Sequence, residues 1–426
     1  MTDLASERRS AEMDARTGAH GRDHRDAAAE HPVIDTDPGI IVSVEAIALA
    51  ARFADFYASP DDVPDWLLFP AASHRVLPRQ GQFATLVKIT TDRGLVGIGE
   101  CYGLPSPQVT GTLITTVLAP LLIGRDAQST TAIWETLFQS QAAGGHTRGF
   151  YLEAIAGIDI ALWDLRGKAA GQPVHRLLGG PVREHIDCYA SPVPLHQTVA
   201  ESAAHARSFV DQGFKALKVK IGRGAKTDGA HLAAVRAEVG DDIEILTDAN
   251  CAYTLDAATE VARVLEQNGI RWFEEPLHIV DLDGLAELRR RTGLTIVTGE
   301  TSFTRFDLRE YISRQAVDVY MPNIARSGGF TEAIRIGAVA STFGVDIAPH
   351  GVGSGVSLAA ALHLCAAMPN LRTYEYNRLP NALRENILLD PPVFADGKLT
   401  VPSGPGLGIT LDDDVVEQFT IARYHA

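Results

Sequence analysis

From about residue 40 onward the chain moves between two apolar rhythms. "IVSVEAIALAARF" and "FATLVKITTDRGLVGIGE" run as short apolar or alternating stretches, with "DRG" as a turn, and so predict β-strands. "VTGTLITTVLAPLLIG", "TTAIWETLFQSQA" and "GFYLEAIAGIDIALWDLRGKAAG" then repeat apolar residues every three or four positions, which predicts helices. A strand meander followed by a helix run makes a compact α+β unit, assigned to residues 39–175. Within it "DFYASPDDVPDWLLFPAASHRVLPRQGQ" is a long interruption of the kind that forms lids.

After "LLGGPVREH" the pattern becomes repetitive. "IDCYAS", "ALKVKIG", "IEILTDAN", "WFEEP", "TIVTGE", "VDVYMPN", "VDIAPHG" and "TYEYN" are eight short strand candidates, separated by helical stretches such as "TVAESAAHARSFVDQG" and "TLDAATEVARVLEQNG" that close on glycine. Eight strands alternating with helices predict parallel strands joined by right-handed crossovers, a (β/α)8 TIM-type barrel over residues 176–380. The remaining segment, 381–426, is expected to return to the first unit.

Composition narrows the class without changing it. Hydrophobic residues are 46% and charged residues 21% of the 426, an ordinary soluble balance. A net charge of −15 argues against nucleic acid or an anionic membrane as a partner, while leaving room for a local cationic cleft. Cys101, Cys188, Cys251 and Cys365 are scattered, which suits neither a disulfide framework nor a zinc ribbon. Together with the lack of an apolar leader or membrane-length run, this makes the cytoplasm the expected compartment. Residues 1–38 are polar and Ala-rich and are expected to form a mobile tail; its three histidines, His20, His24 and His31, have no metal-binding spacing.

The chemistry lies at the strand ends. In "ALKVKIG" the alternation sends Leu217, Val219 and Ile221 one way and Lys218 and Lys220 the other, so the lysines either guard a solvent-facing edge or look into the mouth of the barrel. The other strands favour the mouth: Asp248 and Asn250 close the third, Glu274 and Glu275 the fourth, Glu300 the fifth. Asn323 follows the sixth, His350 the seventh, and Glu375 sits in the eighth. One carboxylate at a strand end is ordinarily a helix cap or a loop ion pair, and one histidine an ordinary core residue. Three carboxylates on consecutive strands repel one another unless a cation joins them, and all-oxygen ligation by Asp248, Glu274 and Glu300 suits Mg²⁺ better than zinc. Glu275, the neighbour in its strand, is expected to point outward into an ion pair.

As an ordered set, "KVK", "TDAN", "EEP", "GE", "PHG" and "YEY" resemble the enolase superfamily, specifically its mandelate racemase subgroup, from about residue 40 to the end. The resemblance implies a cap built from both chain ends over a modified, enolase-like barrel, bound Mg²⁺, homo-oligomers, and removal of a proton next to a carboxylate by a Lys or His base. Lys220 would be the base, with Lys218 lowering its pKa. His350 would stand on the opposite face of the substrate, and a protonated Glu375 would donate to the second carboxylate oxygen. The sequence departs from the subgroup at Asn323, where an aspartate is usual. Asparagine would accept a hydrogen bond from His350 but lend it no charge, which weakens a second base and disfavours racemisation.

"DANCAYTLDAA", "GETSFTRFDLREYI" and "PHGVGSGVSLAAALHL" further resemble members of the subgroup acting on sugar acids and their lactones, and this resemblance, with Asn323, makes dehydration of a sugar acid to a 2-keto-3-deoxy acid the expected reaction. A sugar-acid lactone cycloisomerase is the alternative and a 2-hydroxy-acid racemase or epimerase the third; a non-catalytic sugar-acid binding protein on the same fold is the rival of another class. Asn250, His74, Arg75, His146 and Arg148 are candidate substrate contacts, although the last four are more ordinarily read as surface or capping residues.

Overall fold

A computed structural model describes residues 36–426; the expectations for the tail at 1–35, including its histidines, fall outside them. Three antiparallel strands, β1 (Ile41–Arg52), β2 (Gly81–Thr91) and β3 (Val96–Cys101), form a sheet whose outer edge is completed by the C-terminal strand Thr420–His425 against β1. Helix α1 (Thr130–Ala142) packs on the long α2 (Phe150–Ala170), which covers the sheet. Close approach of α2 to the sheet is set by glycine: a Cβ at Gly99 would lie 2.0 Å from the Gly157 carbonyl oxygen, and one at Gly97 2.2 Å from that of Ala161. The connection from β1 to β2 is not featureless. It folds into short helical turns at Phe53–Phe56, Pro60–Asp62, Asp65–Leu68 and Ala72–Arg75.

The second part is the expected alternation. Its strands are β4 (His185–Val193), β5 (Ala216–Lys220), β6 (Glu244–Asp248), β7 (Trp272–Glu274), β8 (Thr295–Thr298), β9 (Val319–Tyr320), β10 (Asp346–Ile347) and β11 (Tyr374–Asn377). Parallel ladders join them in order from β4 to β10, and β11 pairs with β4. The β10–β11 seam has no full ladder. A single bridge, Ile347 to Leu371, and the backbone bond from Glu375 N–H to the Pro349 carbonyl span it. The intervening helices are α3 (Val199–Asp211), α4 (Ala225–Val239), α5 (Leu255–Gln267), α6 (Leu282–Arg291), α7 (Arg305–Ser313), α8 (Gly329–Thr342) and α9 (Gly355–Ala367). Sequence sets their ends: Thr198 and Glu201 form a capping box on α3, and Asp281 caps α6. Before the C-terminal strand, the segment Lys398–Thr400 pairs antiparallel with β4.

Inside the strand ring, Tyr189, Leu246, Trp272, Val297, Val319, Met321 and Ala348 pack into an apolar layer. Asp248 and Glu274 follow Leu246 and Trp272 by two residues, so strand alternation raises a charged layer directly above this floor. The cap is bonded to the barrel above that layer. Trp134 Nε1 donates to the Gly328 carbonyl at 2.8 Å, Asp159 accepts from Thr331 N–H at 2.9 Å, and the Glu100 carboxylate accepts from Ser354 N–H and Ser357 N–H at the start of α9. Residues 36–426 belong to one compact unit. No helix among the described residues is long and apolar enough to cross a membrane.

Candidate active site

Asp248 ends β6 and Glu274 ends β7, both fully buried, and Glu300 lies two residues beyond β8. One carboxylate oxygen from each lies within 4.8 Å of the others. Glu300 Oε2 is buried and has no hydrogen-bond partner, a costly state for a carboxylate oxygen unless a cation or ligand completes it. Oxygen-only donors, converging and partly unsatisfied, fit a hard divalent cation.

Both lysines look into this layer, as their strand position requires. Lys218 has no solvent exposure; its Nζ lies 2.7 Å from Glu274, 3.0 Å from Glu375 and 3.5 Å from Asp248. Burial alone would favour a neutral amine, yet Glu274 and Glu375 hold its pKa well above the usual lysine range. Lys220 Nζ donates to Asp248 and, at 2.9 Å, to Asn250 Oδ1. The expected lowering of the Lys220 pKa is outweighed here. Burial and Lys218 both act downward, but Asp248 in direct contact carries the net shift upward.

His350 stands at the other end of the carboxylate group, its Nε2 3.4 Å from Glu300 and 3.7 Å from Glu375. Asn323 contacts the other ring nitrogen, Nδ1, at 3.0 Å, but not in the expected sense. Its Oδ1 already accepts the Ala325 N–H at 2.9 Å, and its NH₂ also faces the carbonyls of Val352 (2.9 Å) and His350 (3.3 Å). A flipped amide would set oxygen against oxygen, so Asn323 donates to Nδ1 and the imidazole proton sits on Nε2, facing the carboxylates. Glu375 also departs from expectation. Although burial acts to raise its pKa, Lys218 and then His350 hold it below the usual carboxylate range, and it accepts from Ser191 Oγ at 2.5 Å and Gly351 N–H at 3.1 Å. In this arrangement its oxygens accept hydrogen bonds from Ser191 and Gly351.

A cavity of about 550 Å³ opens over this layer, walled by Lys220, Asn250, Glu300, His350 and Glu375 from the barrel and by His74, Arg79 and Tyr102 from the cap. His74 is neutral near pH 7: burial, then Arg79 and Lys220, lower its pKa to about 4. The Arg75 side chain lies outside the described residues. His146 and Arg148 do not line the cavity. His146 rests near the Tyr151 ring, and Arg148 pairs with Asp307 at the start of α7. The outward ion pair expected of Glu275 is absent among the described residues. Its carboxylate is buried, with Thr301 Oγ1 at 3.4 Å, because a left-handed backbone (φ +39°) ends the alternation on which the expectation relied. Asn250, just after the neighbouring ligand strand, is held in the same region (φ +42°). Sequence reasoning missed Ser191, a polar residue near the end of β4 that the strand-end rule identifies, and Arg79, for which the loop offers no pattern.

Comparison with known proteins agrees with this geometry. Residues 201–415 match the enolase C-terminal domain-like family, and residues 71–179 match the mandelate racemase / muconate lactonizing enzyme N-terminal domain. The chain is 36% identical to a D-galactarolactone cycloisomerase of Agrobacterium fabrum over 78% of its own length and 90% of the relative's. It is 35% identical to an arabinonate dehydratase of Saccharolobus solfataricus, covering 78% and 89% of the two chains. A crystal structure of a racemase from Streptomyces coelicolor A3(2) with bound magnesium superposes with a TM-score of 0.80 at 26% identity, over 90% of this chain and all of that one. The chain belongs to the enolase superfamily, in its mandelate racemase subgroup, and is an enzyme of the lyase class with isomerase as the alternative.

Proposed function

We propose that the protein dehydrates a sugar acid to a 2-keto-3-deoxy sugar acid in a Mg²⁺-dependent reaction, as a cytoplasmic homo-oligomer. Asp248, Glu274 and Glu300 would hold the ion, which supplies electrostatic stabilisation for the charge that develops on the substrate carboxylate. The bound magnesium in the Streptomyces racemase structure supports this choice, and four free cysteines support a reducing compartment. Lys220 in its neutral form takes the proton α to that carboxylate, Asn250 orients its amine, and the charged Lys218 lends positive potential from below. His350 donates its Nε2–H to the departing β-oxygen, and the enol left behind ketonises.

The observation that carries this reading is the direction of the Asn323–His350 hydrogen bond. With its proton on Nε2, His350 lacks the free lone pair that a second base would present to the substrate. One-base elimination suits the site better than two-base racemisation. The name of the Agrobacterium relative favours a second reading, in which the β-oxygen expelled is that of a lactone ring. Product analysis after incubating sugar acids and lactones with Mg²⁺ separates the two. Loss of water with a semicarbazide-reactive ketone is expected, and an isomer of unchanged mass would replace dehydration by cycloisomerisation.

A further inference from the structure

Most cations around the cavity are answered by carboxylates. Lys220 is paired with Asp248, Arg326 lies 3.1 Å from Glu153, and Arg384 lies 2.7 Å from Glu385. Arg79 differs. Its side chain lines the cavity, yet among the described residues no carboxylate lies within ion-pair distance of it. Among the described residues its one side-chain hydrogen-bond partner is neutral: Nη2 donates to Gln82 Oε1 at 2.8 Å.

This cation is also braced. Gln82 is held from the other side by its own donation to the Pro380 carbonyl at 3.0 Å, and the Arg79 backbone N–H bonds the Leu68 carbonyl at 2.9 Å. Burial works against the charge, the first cause of a lowered pKa at Arg79. The neighbouring His74 is neutral near pH 7 and supplies no countercharge. A partly desolvated guanidinium with free N–H groups is a costly arrangement unless a ligand brings the anion, and its planar fork matches a carboxylate in bidentate fashion.

We propose that Arg79 binds a second carboxylate at the far end of the substrate, so that the substrate class is an open-chain sugar dicarboxylate, an aldaric acid, rather than an aldonic acid ending in a hydroxymethyl group. This rests on the sugar-acid reading above. The reacting carboxylate lies by Lys220 and the metal carboxylates, and the distal one reaches across the same cavity to the cap. A monolactone of an aldaric acid keeps a single free carboxylate and cannot fill both ends, so the assignment selects the open-chain diacid.

The test compares a six-carbon aldaric acid with the aldonic acid of the same configuration, both with Mg²⁺, in wild type, Arg79→Met and Arg79→Lys. The kcat/KM ratio of aldaric to aldonic acid is expected to be on the order of 100 in wild type, to fall toward unity in Arg79→Met, and to be partly restored in Arg79→Lys. A wild-type ratio near unity, or one that Arg79→Met leaves unchanged, would overturn the proposal while leaving sugar-acid chemistry intact. If neither acid reacts, the proposed function fails separately, and calorimetric titration of the same two acids decides the site. Aldaric binding that is lost in Arg79→Met sustains the assignment; equal binding of both acids, or no binding of either, rejects it.

Discussion

With no solvent exposure and three carboxylates within 3.5 Å, Lys218 is an interior charge whose removal strands its neighbours. Lys218→Met is predicted to destabilise the fold by about 3–5 kcal/mol, because Glu274 and Glu375 would be left buried and unpaired. Urea unfolding reads this, and a loss below about 1 kcal/mol would mean that the carboxylates hold one another without the lysine. Position 323 carries a second test. In Asn323→Asp the carboxylate would accept from Nδ1, and the His350 proton is predicted to move from Nε2 to Nδ1; ¹⁵N chemical shifts of the ring report the tautomer. Unchanged shifts would break the link between the two residues. The lysine pair was legible because alternation along a single strand fixes its face. The sense of the Asn323 bond was not, since Ala325 N–H and the Val352 carbonyl decide it through loop geometry.

At the scale of elements, parallel buried strands announce themselves as short apolar runs, so all eight barrel strands were readable even where two residues suffice, as in β9 and β10. Helix α9 has no polar stripe, because every one of its residues is buried, and periodicity cannot separate such a helix from core. The stretch between β1 and β2 reads as plain loop because each of its helical turns is too short to show a period. Contacts between elements also set pH behaviour. Asp159 on α2 receives the Thr331 N–H of α8, its Oδ1 has no partner, and burial raises its pKa from the ordinary 3.8 to about 7. A carboxyl raised on folding binds its proton more tightly in the native state. Its effect is therefore most favourable below about pH 4 and is lost as pH rises toward 7, with a slope of at most about 1.4 kcal/mol per pH unit. Asp159→Asn is predicted to remove this component of the stability profile between pH 4 and 7. An identical profile in the variant would show that Asp159 is ionised throughout.

For the whole molecule, a net charge of −15 coexists with an interior layer in which lysines face carboxylates, so the surface balance carries no information about the site. What the sequence made visible was the order of polar residues at successive strand ends; what it hid was the cap's contribution, because only the tertiary fold bonds Glu100 to the barrel and brings Arg79 to the cavity. The central claim is that the barrel mouth removes an α-proton with Lys220 as base and a divalent cation in place. Proton NMR of a panel of sugar acids in D₂O measures this directly. Loss of the α-proton signal, with deuterium incorporated or product formed, is predicted for wild type with Mg²⁺, and no loss with chelator or in Lys220→Ala. Wild-type exchange in Lys220→Ala, or none from any acid with Mg²⁺ present, would contradict it.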